Sequence, residues 1–363
     1  MEQTKKLIIF MPSIEDGGVE KNLFILLNYL KEDIKKINLI TYRKPRKKIN
    51  KKINIITPSF NKINFSGRYI KYFFCLLVLF RILLFSRKNL VLSFQANIFS
   101  IALCNFLDVK IISRSNSSSS GWSQNIIKQT IFKFYFPRAN EIIVNSHEFK
   151  KEMDKKYQIN TQCIYNPFEF KKIKYLSKQK CKKIYQKESL KLISIGRLTD
   201  QKDFITLLKA IKICKRQNVE LIIIGKGKEE YNLKQYVSTN GLTNKIKFLG
   251  YKKNPFKYIR QADIFILTSI FEGSPNVLVE ALFLKKFVIS TNCPTGPNEI
   301  LKNGKFGALF KVGDYKSISK FINNFKFNKK TNKKIINGYK STKRFNYFEN
   351  CGKYSSLIQS YLI

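Results

Sequence analysis

The sequence predicts an α/β protein made of two halves, each with a mostly parallel β-sheet covered by helices. Three observations lead to this fold class. Short apolar runs alternate with segments of helical spacing, which is typical of parallel sheets with helices on both faces. The alternation stops at a Lys-rich segment and then begins again. The chain has 363 residues, a length that suits two domains better than one core.

The first half contains seven predicted strands. Residues 6–11 (KLIIFM) read as a buried strand, and after Gly17 and Gly18 the leucines at 23, 26, 27 and 30 have the spacing of a helix. The other predicted strands are Ile37–Thr41, Ile53–Ile56, Leu90–Phe94, Val109–Ser113, Glu141–Val144 and Gln162–Tyr165. Helical patterns lie between most of them.

The domain boundary is predicted in the Lys-rich segment that follows Asn166-Pro167, a turn signal. This gives a first domain over residues 1–168, a linker over 169–189 and a second domain that begins at residue 190. Strands of the second domain are predicted at residues 190–195, 219–225, 245–250, 262–269 and 286–291. Ligands of open α/β sheets bind at the carboxyl ends of the strands, so we expect the site in a cleft between two facing sheets.

The charge of the chain favours anionic partners. Lys and Arg number 68 against 24 Asp and Glu, a net charge of +44. Nucleic acid, an acidic membrane surface and phosphorylated substrates are all compatible with such a field, and so is a plain compositional bias. A nucleic-acid-binding protein is the less favoured class, because no recognition motif of the expected kind occurs.

The cysteines and the single histidine limit the chemistry. Seven cysteines, an odd number without a C-x-x-C pair, indicate neither a disulfide framework nor a zinc site and fit a reducing cytoplasm. His147 is the only histidine and no D-x-D pair occurs, so neither a metal nor another cofactor is expected. We interpret His147 as a residue near a helix cap. The N-terminus does not read as a signal peptide, because its apolar run is short and acidic residues follow it.

The most apolar segment is residues 72–80 (YFFCLLVLF), continued after Arg81 by ILLF. It is shorter than the roughly 20 residues that span a bilayer. We interpret it as a buried helix, with a monotopic segment resting on a membrane as the alternative.

Three loops at predicted strand ends have features of a phosphate site. Gly17 and Gly18 let the backbone approach a ligand at a helix N-terminus. Arg197 and Lys202 lie between a strand and a helix, where two cations can hold a diphosphate. Gly225 lies at the end of the next strand and is by itself a weak signal.

The stretch FEGSPNVLVEAL, residues 271–282, places two carboxylates at the start of a helix in a basic chain. Ser274 is the predicted cap and Pro275 the first helical residue. Backbone amides from Gly273 to Val277 suit phosphate or sugar oxygens. Glu272 and Glu280, the latter about two turns into the helix, can each accept two hydrogen bonds from a vicinal diol, so that one can bind a ribose and the other a hexose. The predicted ligand therefore carries phosphates, a ribose and a sugar.

With these residues in view, the sequence resembles the family 4 glycosyltransferases, which have the GT-B fold. The resemblance covers nearly the whole chain and rests on residues 17–20, 166–167, 196–203, 225–227, 248–250, 272–282, 290–301 and 303–314. It implies two Rossmann-like domains that face each other across a cleft, the second over residues 190–345, and a last helix over 346–363 that returns to the first domain.

The resemblance implies transfer of a hexose-type sugar from a nucleotide-diphosphate donor, such as a UDP-sugar, with retention and without a metal. Arg197 and Lys202 would hold the diphosphate, Glu280 the ribose and Glu272 the hexose, with Gly225 also at the donor. Gly273, Ser274, Pro275, Asn276 and Val277 would line the donor, and Gly17 and Gly18 would close over it. The catalytic residues would be Arg197, Lys202 and Glu272.

The acceptor side departs from the family pattern. Many members have a histidine after the fourth strand, where this sequence reads VLSFQANIFS. Gln95 or Asn97 is the predicted substitute, and Arg114 and Asn116 open a Ser-rich loop, residues 114–122, that is a predicted acceptor contact.

The resemblance favours a glycan or lipid-linked acceptor in surface polysaccharide or lipopolysaccharide synthesis. It also favours a cytoplasmic location, peripheral on the cytoplasmic face of the inner membrane. The alternative function is a sugar-nucleotide epimerase of the same fold.

Overall fold

The computed structural model describes residues 6–14, 17–45, 49–59, 67–116 and 125–362. The chain divides into two compact units. The first unit contains residues 1–168 and 345–363, and the second contains residues 169–344. Each unit is built on its own parallel sheet.

The sheet of the first unit has seven parallel strands in the order β3-β2-β1-β4-β5-β6-β7. The strands are β1 (Leu7–Phe10), β2 (Ile37–Ile40), β3 (Ile53–Ile56), β4 (Leu90–Ser93), β5 (Ile111–Arg114), β6 (Glu141–Val144) and β7 (Gln162–Cys163). All seven predicted strands are confirmed. The inner strands β1, β4 and β5 are buried along their whole length, as expected for apolar strands of a parallel sheet, whereas the edge strands β3 and β7 are partly exposed. The order reverses between β1 and β4, which makes their carboxyl ends the switch point of this unit.

Helices cover both faces of this sheet. They are α1 (Gly18–Asp33), α2 (Arg68–Phe85), α3 (Asn97–Phe106), α4 (Ile126–Tyr135) and α5 (His147–Tyr157), together with the last helix of the chain, α14 (Tyr347–Leu362). One hydrophobic core joins the sheet to α1 and α14. A second core joins the other face to α2, α3, α4 and α5. Ser146 caps α5 through a bond from the Phe149 amide, which confirms His147 as a residue beside a helix cap.

Helix α2 contains the most apolar segment, and the interpretation of a buried helix is correct for only one of its sides. Of its 18 residues, Cys75, Leu79 and Leu83 are buried. They recur every four residues and so form a single stripe against the sheet. Phe73 and Leu77 point outward, with exposed fractions of 58% and 48%. No helix in the described part of the chain has both the length and the apolar character needed to cross a membrane.

The second unit has a six-stranded parallel sheet in the order β10-β9-β8-β11-β12-β13. Its strands are β8 (Leu190–Ile195), β9 (Val219–Ile224), β10 (Ile246–Phe248), β11 (Ile264–Leu267), β12 (Phe287–Thr291) and β13 (Ala308–Phe310). Five of them were predicted. The sequence pattern did not reveal β13, a three-residue strand at the sheet edge. The order reverses between β8 and β11, the switch point of this unit.

Eight α-helices belong to the described second unit. They are α6 (Phe170–Ser177), α7 (Phe204–Lys212), α8 (Glu230–Thr239), α9 (Phe256–Ile259), α10 (Asn276–Phe283), α11 (Pro297–Leu301), α12 (Tyr315–Asn324) and α13 (Lys329–Ser341). Residues 169–189, predicted as a linker, thus contain α6 and belong to this unit. The Phe170 ring stacks on Phe283 with 4.4 Å between ring centroids, and Ile173 is buried.

The last helix, α14, completes the interior of the first unit. Cys351, Tyr354 and Ile358 lie in its core. The Tyr354 hydroxyl accepts a hydrogen bond of 2.7 Å from Nε of Arg114, a residue only 1% exposed at the end of β5. Burial is the main cause that raises the pKa of Tyr354, and the Arg114 charge opposes it. A buried guanidinium therefore ties the C-terminal helix to the central strands.

We expect Tyr354→Phe to destabilise the protein by about 1.5–3 kcal/mol, the contribution of a hydrogen bond to a charged group, because one N–H of the buried guanidinium loses its acceptor. Tyr361→Phe is the matched control, since its hydroxyl lies 3.3 Å from Glu141 Oε1 in a partly exposed position. Urea unfolding of both variants measures the difference. Equal losses would contradict the assigned role of the Arg114–Tyr354 bond.

Candidate functional site

The candidate site of the second unit lies at its switch point. Arg197 follows β8, and Lys202 ends a short 3₁₀ helix, Asp200–Lys202, in the same loop. Glu272 lies between β11 and α10. Because β8 and β11 are neighbouring parallel strands, these loops emerge side by side at the carboxyl edge of the sheet. The structure thus brings together the residues that were predicted to hold the donor.

A buried ion pair joins the two loops. Lys202 Nζ donates to Glu272 Oε1, and the two side chains are 14% and 8% exposed. The Ser269 hydroxyl donates to the same carboxylate oxygen at 2.6 Å. Glu272 Oε2 has no hydrogen-bond partner among the described residues. The carboxylate is therefore held through one oxygen while the other can accept from a ligand.

Further hydrogen bonds hold the backbone around this ion pair. Gln201 Nε2 donates to the Phe271 carbonyl at 2.9 Å, and the Thr268 hydroxyl donates to the Asp203 carbonyl at 2.9 Å. Thr295, in the loop after β12, donates to the Glu272 carbonyl at 2.7 Å. Sequence reasoning did not identify these residues or Ser269. The available signal was a Thr-Ser pair at the end of a predicted strand, next to FEGSP.

Close approach of two backbones fixes the loop that carries Arg197. A Cβ atom at Gly225, where φ is +155°, would lie 1.8 Å from the Gly196 carbonyl oxygen. A Cβ atom at Gly227 would lie 2.1 Å from the Leu198 carbonyl oxygen. Only glycine permits this contact between the loops after β8 and β9. The structure thus gives Gly225 a packing role, and its predicted place at the donor stays a prediction.

Helix α10 begins one residue later than predicted. Pro275 is its N-cap residue in an extended conformation, Asn276 is its first residue, and no side chain caps it. Ser274 is therefore not the cap. The helix start lies beside the loop of Gly273, and the Asn276 and Val277 amides belong to its first turn. Such a terminus attracts anions because its first N–H groups have no intrahelical acceptor.

The other carboxylate, Glu280, lies one turn further along α10 rather than two. It is the fifth residue of the helix and is 4% exposed. Its position on the same helix as Asn276 and Val277 agrees with the predicted division of labour between two carboxylates, which stays a prediction.

Arg197 is the exposed cation of the candidate site. Its side chain makes no hydrogen bond or ion pair with the described part of the chain. It is therefore available to an anion.

Cys293 is 2% exposed. Its burial is the main cause that raises the pKa of its thiol to about 12, and the nearby Glu272 charge is the second cause. At neutral pH this thiol stays protonated and inert.

In the first unit the predicted acceptor residues Gln95 and Asn97 lie at the other switch point. The Gln95 amide forms two bonds of 2.9 Å with the backbone of Ser13, which follows β1. Asn97 donates to the Arg114 carbonyl at 2.9 Å and accepts from the Ser93 hydroxyl at 3.0 Å. Both side chains therefore brace the carboxyl ends of the strands. Acceptor binding by either one stays a prediction.

Arg114 and Asn116 are also engaged inside the first unit. Arg114 donates to Asn116 and, at 2.6 Å, to Asn166 Oδ1. Asn116 donates to the Phe94 carbonyl at 2.9 Å. The structure gives Arg114 a structural position rather than a surface one, because its guanidinium is buried and bonded. Of the Ser-rich loop 114–122, residues 117–122 lie outside the described residues.

The glycine turn of the first unit precedes α1. Gly17 is the N-cap residue of that helix in an extended conformation, and no side chain caps it. Gly18 is exposed. Both features fit the predicted phosphate-facing turn. Within the described residues, no group of three or more His, Cys, Asp or Glu side chains is arranged to hold a metal ion.

We expect Gly225→Ala to destabilise the protein more than Gly241→Ala. Both glycines have positive φ, but a Cβ atom at Gly241 would meet no atom within 4 Å. Gly241→Ala should therefore cost only the backbone strain of about 1–2 kcal/mol. Gly225→Ala adds a clash with a carbonyl oxygen that only a backbone shift relieves. Urea unfolding compares the two, and equal losses would show that the β9 loop can move away from the β8 loop.

Known proteins are similar to this chain in sequence and in fold. Residues 177–342 match the family model described as "Glycosyl transferases group 1". An uncharacterized glycosyltransferase of Methanocaldococcus jannaschii, MJ1059, is 38% identical over 178 residues, 47% of this chain and 44% of that protein. A Campylobacter jejuni enzyme is 26% identical over 197 residues, 53% of each chain. It is named N-acetylgalactosamine-N,N'-diacetylbacillosaminyl-diphospho-undecaprenol 4-alpha-N-acetylgalactosaminyltransferase. The chain thus spans about half the length of these curated relatives.

Other relatives are named for the biosynthesis of amylovoran, lipopolysaccharide core and capsular polysaccharide. Among solved structures, Anabaena HepE in complex with UDP-glucose superposes with a TM-score of 0.77 at 17% identity. The match covers 98% of this chain and 99% of that one. The predicted fold class, two Rossmann-like α/β halves as in GT-B structures, is confirmed. Residues 177–342, slightly less than half of the chain, therefore match the glycosyltransferase group 1 family, and the chain as a whole has the two Rossmann-like halves of GT-B structures.

Proposed function

We propose that the chain is a glycosyltransferase that moves a hexose-type sugar from a UDP-sugar to a glycan or lipid-linked acceptor in the synthesis of bacterial surface polysaccharide. The observation that carries this proposal is the cluster at the β8–β11 switch point. There an exposed cation, Arg197, lies in the same loop as the buried Lys202–Glu272 pair. The segment that matches the group 1 family contains all three residues.

In the proposed reaction, the bond between the anomeric carbon and the diphosphate breaks. A bond from that carbon to an acceptor hydroxyl oxygen forms, and the hydroxyl proton is released. Negative charge builds on the leaving diphosphate, and Arg197 and Lys202 supply the counter-charge. Preorganised charges of this kind are usually the largest contribution to catalysis. An ammonium group has three donors, so Lys202 can keep its bond to Glu272 while donating to a phosphate oxygen.

Glu272 and Glu280 have separate proposed tasks. Glu272 binds hexose hydroxyls through Oε2, the oxygen that the described protein leaves open. Its bonds to Lys202 and Ser269 fix the carboxylate before the sugar arrives, which reduces the entropy lost on binding. Glu280 binds the ribose hydroxyls from the second turn of α10. Backbone amides near Asn276 and Val277 complement the donor oxygens.

Retention of anomeric configuration, independence of metals and membership of family 4 are proposed together. The support for metal independence is the pair of cations, Arg197 and Lys202, which can neutralise a diphosphate, together with the resemblance to family 4. We also propose peripheral attachment to the cytoplasmic face of the inner membrane. The net charge of +44 and the diphospho-undecaprenol in the name of the Campylobacter relative support this location.

We expect Glu280→Gln and Glu272→Gln to fail differently. Loss of a hydrogen bond to a charged group costs about 1.5–3 kcal/mol, so Glu280→Gln should bind UDP roughly ten- to a hundredfold more weakly. Glu272→Gln should bind UDP almost normally and lose affinity and turnover with the intact UDP-sugar. Calorimetry with UDP and with UDP-sugars measures both. Identical profiles for the two variants would refute the division of labour.

Glu220→Gln is the matched control for both variants. Glu220 is a buried glutamate of the same unit, 5% exposed, and accepts from the Gln186 amide and the Ser189 hydroxyl. It lies near the amino end of β9, opposite to the site edge. We expect a stability change without a change in UDP affinity. If neither the wild-type protein nor any of the variants binds a nucleoside diphosphate, the proposed function is refuted.

We expect turnover to persist in excess EDTA, because Arg197 and Lys202 neutralise the diphosphate in place of a metal. Release of UDP from the donor in the presence of acceptor is the readout. A transferase known to require Mn²⁺, treated in parallel, shows that the chelator is effective. Loss of activity in EDTA that Mn²⁺ or Mg²⁺ restores would overturn the metal-independent mechanism.

A further inference from the structure

Three adjacent helices of the first unit leave an unusually apolar surface uncovered. Helices α2, α3 and α4 pack on the same face of the sheet, and α3 contacts both of its neighbours. Because they lie side by side, their outward sides form one surface, here called the α2–α4 face. The twelve large apolar residues exposed on it are Tyr69, Ile70, Phe73, Leu77, Leu84, Phe85, Phe99, Phe106, Ile126, Ile127, Ile131 and Phe134.

This concentration is specific to the three helices. The rest of the described chain exposes ten large apolar side chains. The neighbouring helix α5 covers the same side of the sheet but exposes no large apolar side chain, and it carries Glu148, Glu152 and Asp154. Helix α4 is the extreme case, since it has no buried residue although Ile126, Ile127 and Phe134 are among its ten residues. Large exposed apolar patches of this kind mark the sites where a protein meets a partner or a membrane.

The charges around the α2–α4 face indicate what covers it. Asp108 is the only acidic residue between residues 68 and 140. The same stretch has nine Lys or Arg residues besides the buried Arg114, namely Arg68, Lys71, Arg81, Arg87, Lys88, Lys110, Lys128, Lys133 and Arg138. Arg81, Lys128 and Lys133 make no ion pair with any described residue. An apolar surface with a one-signed cationic surround complements an anionic lipid bilayer, into which the rings insert while the cations meet headgroups.

We propose that the α2–α4 face is the surface through which this chain docks on an anionic membrane. The proposal deepens the proposed function, because it assigns the peripheral attachment to named side chains of the first unit. The exposed stripe of α2, from Ile70 through Phe73 and Leu77 to Leu84, repeats every three to seven residues along one side of the helix. Helix α2 would then lie in the plane of the membrane surface, which agrees with the finding that no helix in the described residues is long and apolar enough to cross a bilayer.

The decisive variant is Phe85→Ser, Phe106→Ser and Ile126→Ser combined, one residue from each helix. Their exposed fractions are 80%, 80% and 82%, so the change removes little from the folded interior. Each large apolar side chain withdrawn from water contributes roughly tenfold or more to binding. We expect binding to vesicles of phosphatidylcholine with phosphatidylglycerol to fall at least about a hundredfold. Tyr231→Ser, Phe327→Ser and Phe348→Ser combined, at 74%, 53% and 68% exposure, is the matched control and should bind as the wild type does.

A pair of charge-reversing substitutions tests whether the Lys and Arg residues around the α2–α4 face contribute to membrane binding. We expect Arg81→Glu with Lys133→Glu to weaken binding about tenfold or more, since each cation near an anionic surface contributes roughly fivefold and reversal removes more. The binding should be lost with phosphatidylcholine alone and at high salt. Lys320→Glu with Lys333→Glu, both exposed in the second unit, is the control for net charge. Equal losses in the two pairs would show that binding follows total charge and would overturn the assignment to this face.

Flotation of vesicles and calorimetry with UDP, done on the same protein samples, separate the possible failures. Lost vesicle binding with normal UDP affinity in the serine variant supports the docking face. Unchanged vesicle binding overturns it while leaving the proposed transferase intact. If the wild-type protein floats with the vesicles but binds no nucleoside diphosphate, the docking face is supported and the proposed function is refuted. A change of oligomeric state on gel filtration, without a change in flotation, would assign the face to a second copy of this chain and refute a lipid partner.

Discussion

The ion pair between Lys202 and Glu272 is the interaction on which the candidate site depends. It joins the loop after β8 to the loop after β11 across the switch point of the second sheet. Both side chains are largely buried, so removal of one leaves an uncompensated charge, which typically costs about 3–5 kcal/mol. Ser269 and Thr295 add hydrogen bonds to the same glutamate residue. The carboxylate that joins the two loops is therefore also the one proposed to bind the donor sugar.

Close backbone contact is the second constraint. At Gly225 a Cβ atom would overlap the Gly196 carbonyl oxygen, and at Gly296, where φ is +83°, it would lie 2.4 Å from the Gly273 carbonyl oxygen. These contacts lock the loops that carry Arg197 and Glu272 without using side chains. The backbone amides beside them then remain near the site, as a phosphate-binding edge requires. The absence of a side chain at Gly225 and at Gly296 thus allows the close packing of these loops.

The two faces of the first sheet are covered differently. Helices α1 and α14 enclose one core, in which Tyr354 meets the buried Arg114. On the other face α2, α3 and α4 enclose a core with one side and expose apolar side chains with the other. A basic composition spread over the whole chain would not by itself select a surface. The coincidence of uncovered aromatic and aliphatic side chains with a stretch nearly free of acids does select one.

The sequence by itself determined the two parallel sheets, twelve of their thirteen strands, the loops that hold Arg197, Lys202 and Glu272, and the helix that holds Glu280. It did so because apolar period and strand-end position are local properties of the chain. Only the tertiary structure decided that Lys202 and Glu272, 70 residues apart, pair with each other, and that Gln95, Asn97 and Arg114 bond to the protein interior. It also decided that the apolar helix α2 buries one narrow stripe. The partner of a polar side chain and the covered side of a helix depend on neighbours distant in sequence, which no local pattern encodes.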